Sequence, residues 1–197
     1  MTAPRVVHVA SGREWRGGQR QVWLLARALA RTGAVTQVVV TGRGGELARR
    51  LHADGVPTMT PEWTGAFDLR ALAATVKATA PGSILHAHDS HALTLAWIAS
   101  IPGRLPVVAT RRVDVPVGRA GFWRRADRVI SVSAAVGRAL AAGGIPPERI
   151  SVVPSGINLP ETTATVAYDP RPGLGIPAGA PLAIGHHAGR TRPRSAP

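Results

Sequence analysis

The sequence predicts an α/β domain: a mostly parallel sheet with helices on both faces. Three observations carry this reading. Short runs rich in β-branched residues alternate with segments whose apolar residues recur at helical spacing. The connections between them are only a few residues long. Glycine or proline stops many of the helical segments. Strands that alternate with helices in this way are joined by crossovers, so neighbouring strands run parallel and both faces of the sheet are covered.

The elements follow in order. "RVVHVA" (5–10) reads as a buried strand running into the Gly-rich turn "SGREWRGG". "QRQVWLLARALARTG" is a helix with Val22, Leu25 and Leu29 on one face and Gly33 as its stop. "VTQVVVT" (35–41) is a second strand, "GELARRLHADG" (45–55) a second helix and "VPTMT" a short third strand. "FDLRALAATVKATAPG" (67–82) is a helix with Asp68 at its positive end and Pro81-Gly82 after it. "SILHAH" is the fourth strand, "SHALTLAWIASIPG" the fourth helix and "PVVATRR" (106–112) the fifth strand. "ADRVISVS" (126–133) is the sixth strand, followed by a helix that Ser133 caps. "ERISVVPSGIN" (148–158) gives a last strand and a tight turn. The architecture is Rossmann-like, and in such sheets ligands bind at the carboxyl ends of the strands.

After Asn158 the character changes. We divide the chain into a Rossmann-like domain over 1–158, a Pro/Thr-rich linker over 159–172, the start of a second domain over 173–185, and a basic, Pro-rich tail over 186–197 expected to be disordered. "GLGIPAGAPLAIG", within this region, could open a further strand.

Composition narrows the function classes. The 197 residues are 45% hydrophobic, enough for a sizeable core. No run approaches the ~18 apolar residues of a membrane span. There is no cysteine, so disulfides and thiolate metal sites are excluded. The opening "MTAPRVVHVA" lacks the long apolar stretch of a secretory signal. These features point to a cytoplasmic protein, with contact at the inner face of the membrane left open by a net charge of +13. The charge is almost all arginine, scattered in short pairs, and aromatics are 4% of the chain. That is no platform for nucleic acid.

Three segments fall at strand ends. In "GREWRGGQR" a Gly-Gly pair opens a helix and leaves N–H groups for an anion; a plain tight turn is the equal alternative. The segment is neither a Walker A sequence nor G-x-G-x-x-G, and the second strand ends at Thr41 without an acidic residue for a ribose. In "HAHDSH" strand alternation points His86 and His88 to one face, with His88 at the strand end toward the cleft and His86 deeper. The spacing misses H-x-H-x-D-H, and no further His/Asp/Glu cluster stands out to complete a coordination shell, so no metal is expected. Asp89 or Ser90 suits the cap of the next helix. "RRVDVP" sets Arg111 and Arg112 where a phosphate or carboxylate could be gripped, or where they could simply pair with Asp114.

Taken together, "GGQRQVWLLARALARTG", "SILHAHDSHALTLAWIA", "PVVATRRVDVP", "RRADRVISVSAAVGRALAAGGIPPERISVVPSGIN" and "GLGIPAGAPLAIG" resemble the N-terminal domain of glycosyltransferase family 4, whose enzymes have the two-domain GT-B fold. The resemblance implies transfer of a sugar from a nucleotide-sugar donor to an acceptor, usually with retention, without a metal or other cofactor. It implies that this domain binds mainly acceptor, with Gly17 and Gly18 near the donor phosphates. His88 would lie near the transferred sugar, with His86 as second choice. "VPSGIN" would be the hinge, with Ser155, Gly156 and Asn158. Arg111, Arg112, His86 and Asp114 are the further cleft candidates. The family's second domain carries most donor contacts, including a glutamate pair, and no such pair follows the hinge here. The expectation is an acceptor-side domain inactive by itself. The alternative is a non-catalytic or split-subunit fragment that needs a separate donor-binding domain.

Overall fold

A computed structural model describes residues 3–65, 67–118, 121–157 and 169–182. Residues 1–158 and 159–197 are two compact units.

The first unit carries a seven-stranded sheet: β1 (Arg5–Ala10), β2 (Thr36–Thr41), β3 (Thr58–Met59), β4 (Ile84–Ala87), β5 (Val107–Arg111), β6 (Arg128–Ser131) and β7 (Ile150–Val152). Every neighbouring pair is parallel and the order is β3-β2-β1-β4-β5-β6-β7. Five helices connect them: α1 (Gly17–Thr32), α2 (Glu46–Ala53), α3 (Leu69–Ala78), α4 (Ser90–Ser100) and α5 (Ala134–Ala142). Connections on the two sides of β1 and β4 run in opposite directions, so a crevice opens at the carboxyl ends of these two strands.

Alternation sorts the side chains between the two faces. Val7, Val9, Leu85, Ala87, Ala109 and Val129 pack with α3, α4 and α5 in the larger apolar cluster. Ala10 and Val39 turn the other way, onto Val22, Trp23 and Ala26 of α1 and Leu47 and Leu51 of α2. His8, His86 and Thr110 are buried at the intervening strand positions. The face toward α1 therefore takes the polar residues of β1, β4 and β5.

Caps set the helix starts. Asp68 accepts from the N–H groups of Arg70 and Ala71, Asp89 from Ala92, and Ser133 from Val136. Each satisfies a donor that has no partner within the helix. Gly33 ends α1 at φ 62°, a conformation costly for a residue with a Cβ.

In the second unit, Arg171–Leu174 forms one helical turn, with the Arg171 N–H on Asp169 Oδ1 at 3.0 Å. Residues 173–182 hold no strand, and the last residues of the segment that could open one, 183–185, lie outside the described residues. Pro172 in the first turn, the Asp169 contact and Gly175 at φ 66° favour a short closed turn over an extended run. Residues 159–168 and 183–197, most of the linker and the whole tail, lie outside the described residues, as does Asn158.

Candidate functional site at the carboxyl ends of β1 and β4

The crevice is built on Asp89. Its carboxylate accepts from the Ser11 N–H (2.8 Å), the Ser11 hydroxyl (2.6 Å) and the Ala92 N–H (2.9 Å). One side chain thus ties the end of β1 to the end of β4 and caps α4. Loss of this carboxylate in Asp89→Ala should lower the unfolding free energy by about 3 kcal/mol, since bonds to a charged acceptor contribute about 1.5–3 kcal/mol each and not additively. Urea titration reads this directly; a change below about 1 kcal/mol would show that the two strand ends are held by something else.

Beside Asp89 lies a cluster that the sequence only half reveals. His86 and His88 share a face, as alternation requires, but a third ring joins them. His8 of β1 is in register with His86 across the β1–β4 pair. The ring centroids lie 4.1 Å (His86–His88), 5.3 Å (His8–His88) and 5.4 Å (His8–His86) apart. The expectation that no further ligand stands near His86 and His88 is thereby corrected: one nitrogen from each of the three rings falls within 4.8 Å of the others. Only the strand pairing brings His8 there.

All three rings are buried, and burial pushes each toward the neutral form. His8 falls to about 4, its loss of solvation partly offset by the polar side chain of Gln37 beside it. His86 and His88 fall well below the usual range, through burial first and then through repulsion from the neighbouring rings and Arg112. His8 Nδ1 lies 3.1 Å from His88 Nε2, and His86 Nε2 lies 2.7 Å from Thr110 Oγ1.

The order of depth differs from the sequence expectation, which set His88 facing the cleft with His86 beneath it. Instead Arg112 covers His88, donating Nη1–H to the His88 carbonyl at 2.8 Å, with Nη2 3.3 Å from His88 Nδ1. His86, not His88, lines a cavity of about 450 Å³ walled by Leu24 and Ala28 of α1, by Thr110 and Ile130 of the sheet, and by Val153 beyond β7. The arginine is long enough to reach back from the end of β5, and its fork matches the two acceptors that His88 offers.

The other sequence candidates divide. Arg111 turns back on its own loop, donating to the carbonyls of Val113 (3.1 Å) and Val115 (2.8 Å) and lying 5.0 Å above the Trp123 ring. Neither Arg111 nor Arg112 forms an ion pair with Asp114, which is exposed. Gly17 and Gly18 open α1, and no side chain caps that helix. A Cβ at Gly17 would meet nothing within 4 Å, and one at Gly18 would meet only Arg112 Cδ, at 4.0 Å. The N-terminal turn of a 16-residue helix, without a side-chain cap, thus has open space at its glycines beside the half-buried Arg112, an arrangement suited to an anion. At the expected hinge, Gln21 holds Gly156 by a reciprocal pair, Nε2–H to the carbonyl at 2.7 Å and the Gly156 N–H to Oε1 at 3.0 Å. Ser155 and Gly156 line the same cavity. The sequence offered no signal for Gln21, because its partner is 135 residues away.

This sheet order, with a crevice at its switch point, is the Rossmann-like fold that forms one half of GT-B structures. A family model, Glycosyltransferase Family 4, matches residues 15–161. The chain belongs to that family. No curated protein sequence matches it. Among solved structures it is similar to Anabaena Alr3699/HepE in complex with UDP-glucose, at 17% identity and TM-score 0.66, covering 79% of this chain and 45% of that one. A glycosyltransferase from Rickettsia africae ESF-5 is 16% identical with TM-score 0.67, covering 92% and 52%. The lipopolysaccharide outer core galactosyltransferase WaaB is 12% identical with TM-score 0.58, covering 78% and 46%. The chain spans about half the length of these proteins. Among the described residues, no helix is long and apolar enough to cross a membrane.

Proposed function

We propose that this chain is the acceptor-side half of a glycosyltransferase that moves a sugar from a nucleotide-sugar donor to an acceptor hydroxyl. The observation that carries the reading is the uncapped α1 N-terminus set against Arg112, at the switch point of a family 4 domain. When the bond from the anomeric carbon to the diphosphate breaks, negative charge develops on the leaving oxygen. Helix N–H groups and a fixed guanidinium are suited to meet it. In this reading His88 stands near the transferred sugar. Both of its ring nitrogens are engaged, by Arg112 and His8, so it contributes a fixed ring and an ordered carbonyl rather than a free base. The cavity beside His86 and Thr110 is the candidate place for part of the acceptor.

Donor affinity is assigned to a second domain of the kind that completes a GT-B structure. Among the described residues the crevice offers a diphosphate the α1 N–H groups and Arg112, and each charge-assisted hydrogen bond contributes only about 1.5–3 kcal/mol. The isolated chain should therefore bind common nucleotide sugars weakly and turn them over negligibly. Calorimetry with a panel of such donors is the test. A micromolar dissociation constant, about −8 kcal/mol, would overturn the division of labour. The second reading, a non-catalytic binding fragment, is favoured by the coverage of only half of each related structure. Sugar transfer restored by adding a complementary donor domain would exclude it.

A further inference from the structure

A guanidinium carries only donors. Arg112 Nη2 lies 3.3 Å from His88 Nδ1, so that nitrogen must present its lone pair, and the proton of the neutral ring sits on Nε2. His88 Nε2 is 3.1 Å from His8 Nδ1, so it donates there and Nδ1 of His8 accepts. The His8 proton is then on Nε2. Gln37 has its amide nitrogen committed to the Ala26 carbonyl at 2.7 Å, which fixes its orientation and leaves Oε1 as a buried acceptor. His8 Nε2 is likewise a buried atom that makes no hydrogen bond.

We infer that Arg112 and His8 are positioning residues that hold His88 in one tautomer, Nε2–H, within a directional chain Arg112→His88→His8, and that the three-histidine cluster thereby rejects a divalent cation. A metal-bound histidine turns a lone pair to the ion and gives its other N–H to an acceptor. His88 does the reverse. Its Nε2, the nitrogen nearest His8, carries the proton, and its outer nitrogen faces a cation that can accept nothing. His8 has its one lone pair filled by His88. Binding an ion would require Arg112 to leave, and its fixed positive charge opposes the ion as well. The inference does not depend on the transferase reading, because it follows from the donor inventory alone.

The test is a long-range proton–nitrogen correlation spectrum of the full chain labelled with ¹⁵N-histidine, at neutral pH, with and without one equivalent of zinc. The expected result is His8 and His88 both neutral and both Nε2–H, with neither signal moved by zinc. Arg112→Met, which keeps the apolar stem and removes the donors, should give a mixed tautomer at His88 and raise zinc affinity at least tenfold. Arg112→Lys, which keeps one donor and the charge, should retain the native tautomer. His88 found as Nδ1–H or as imidazolium in the unaltered chain would overturn the inference. So would stoichiometric zinc that shifts all three histidines. The spectrum of the unaltered chain decides the matter even if the methionine variant does not fold.

Discussion

Acidification from pH 7 toward pH 4 should unfold this domain. In the unfolded chain a histidine takes up its proton near pH 6.5. In the folded state His8 holds out until about pH 4, and His86 and His88 are displaced in the same direction. Between these limits the unfolded state binds more protons, so stability is full above about pH 6.5 and falls as pH drops. His8 by itself accounts for about 3 kcal/mol across that window, because each tenfold difference in proton affinity between the two states is worth about 1.4 kcal/mol. The other two rings add to it, and because the three are in contact their protons go on in coupled steps. Against a total of about 5–15 kcal/mol for a domain, that loss is decisive. Asp68, whose carboxyl is held at about 2 by backbone hydrogen bonds from Ala71 and Thr64, titrates only further down. Urea midpoints at pH 7.5, 6 and 5 measure the slope. A flat profile over that range would show that the rings are charged or solvated in the folded protein.

His88→Ala should cost about 3 kcal/mol of stability, and more than His86→Ala. Removing the His88 ring deprives the half-buried Arg112 of an acceptor and the buried His8 of its donor. An unsatisfied buried polar group costs about 1–3 kcal/mol, more when charged. His86 gives up one ring hydrogen bond, to Thr110, a residue of the cavity wall where water can take its place. Strand position alone suggests the reverse order, with His88 free at the rim and His86 packed below. Urea melts of the two variants settle the order. A His86 variant less stable than the His88 variant would mean that Arg112 does not hold His88 in solution. It follows that turnover measured on a His88 variant joined to a donor domain needs a matched stability measurement before any loss is assigned to the chemistry.

Much of this was legible in the sequence, for a local reason. Alternation of apolar runs, the Gly33 stop and the caps at Asp68, Asp89 and Ser133 depend on residues within a few positions of one another. So does the shared face of His86 and His88. The helix N-terminus at Gly17 and Gly18 was readable for the same reason. What the sequence could not supply is register and reach. His8 meets His88 across 80 residues because β1 and β4 pair in one particular alignment, and a slip of one residue would turn His8 to the opposite face. Arg111 and Arg112 look equivalent in "RRVDVP", yet they leave β5 on opposite sides. One folds over Trp123 and its own loop; the other inserts between His88 and the start of α1. Strand periodicity determined that polar residues would gather at the carboxyl edge. Only the packing of β4 between β1 and β5 decided which of them touch, because contact across a sheet is fixed by the register of distant strands.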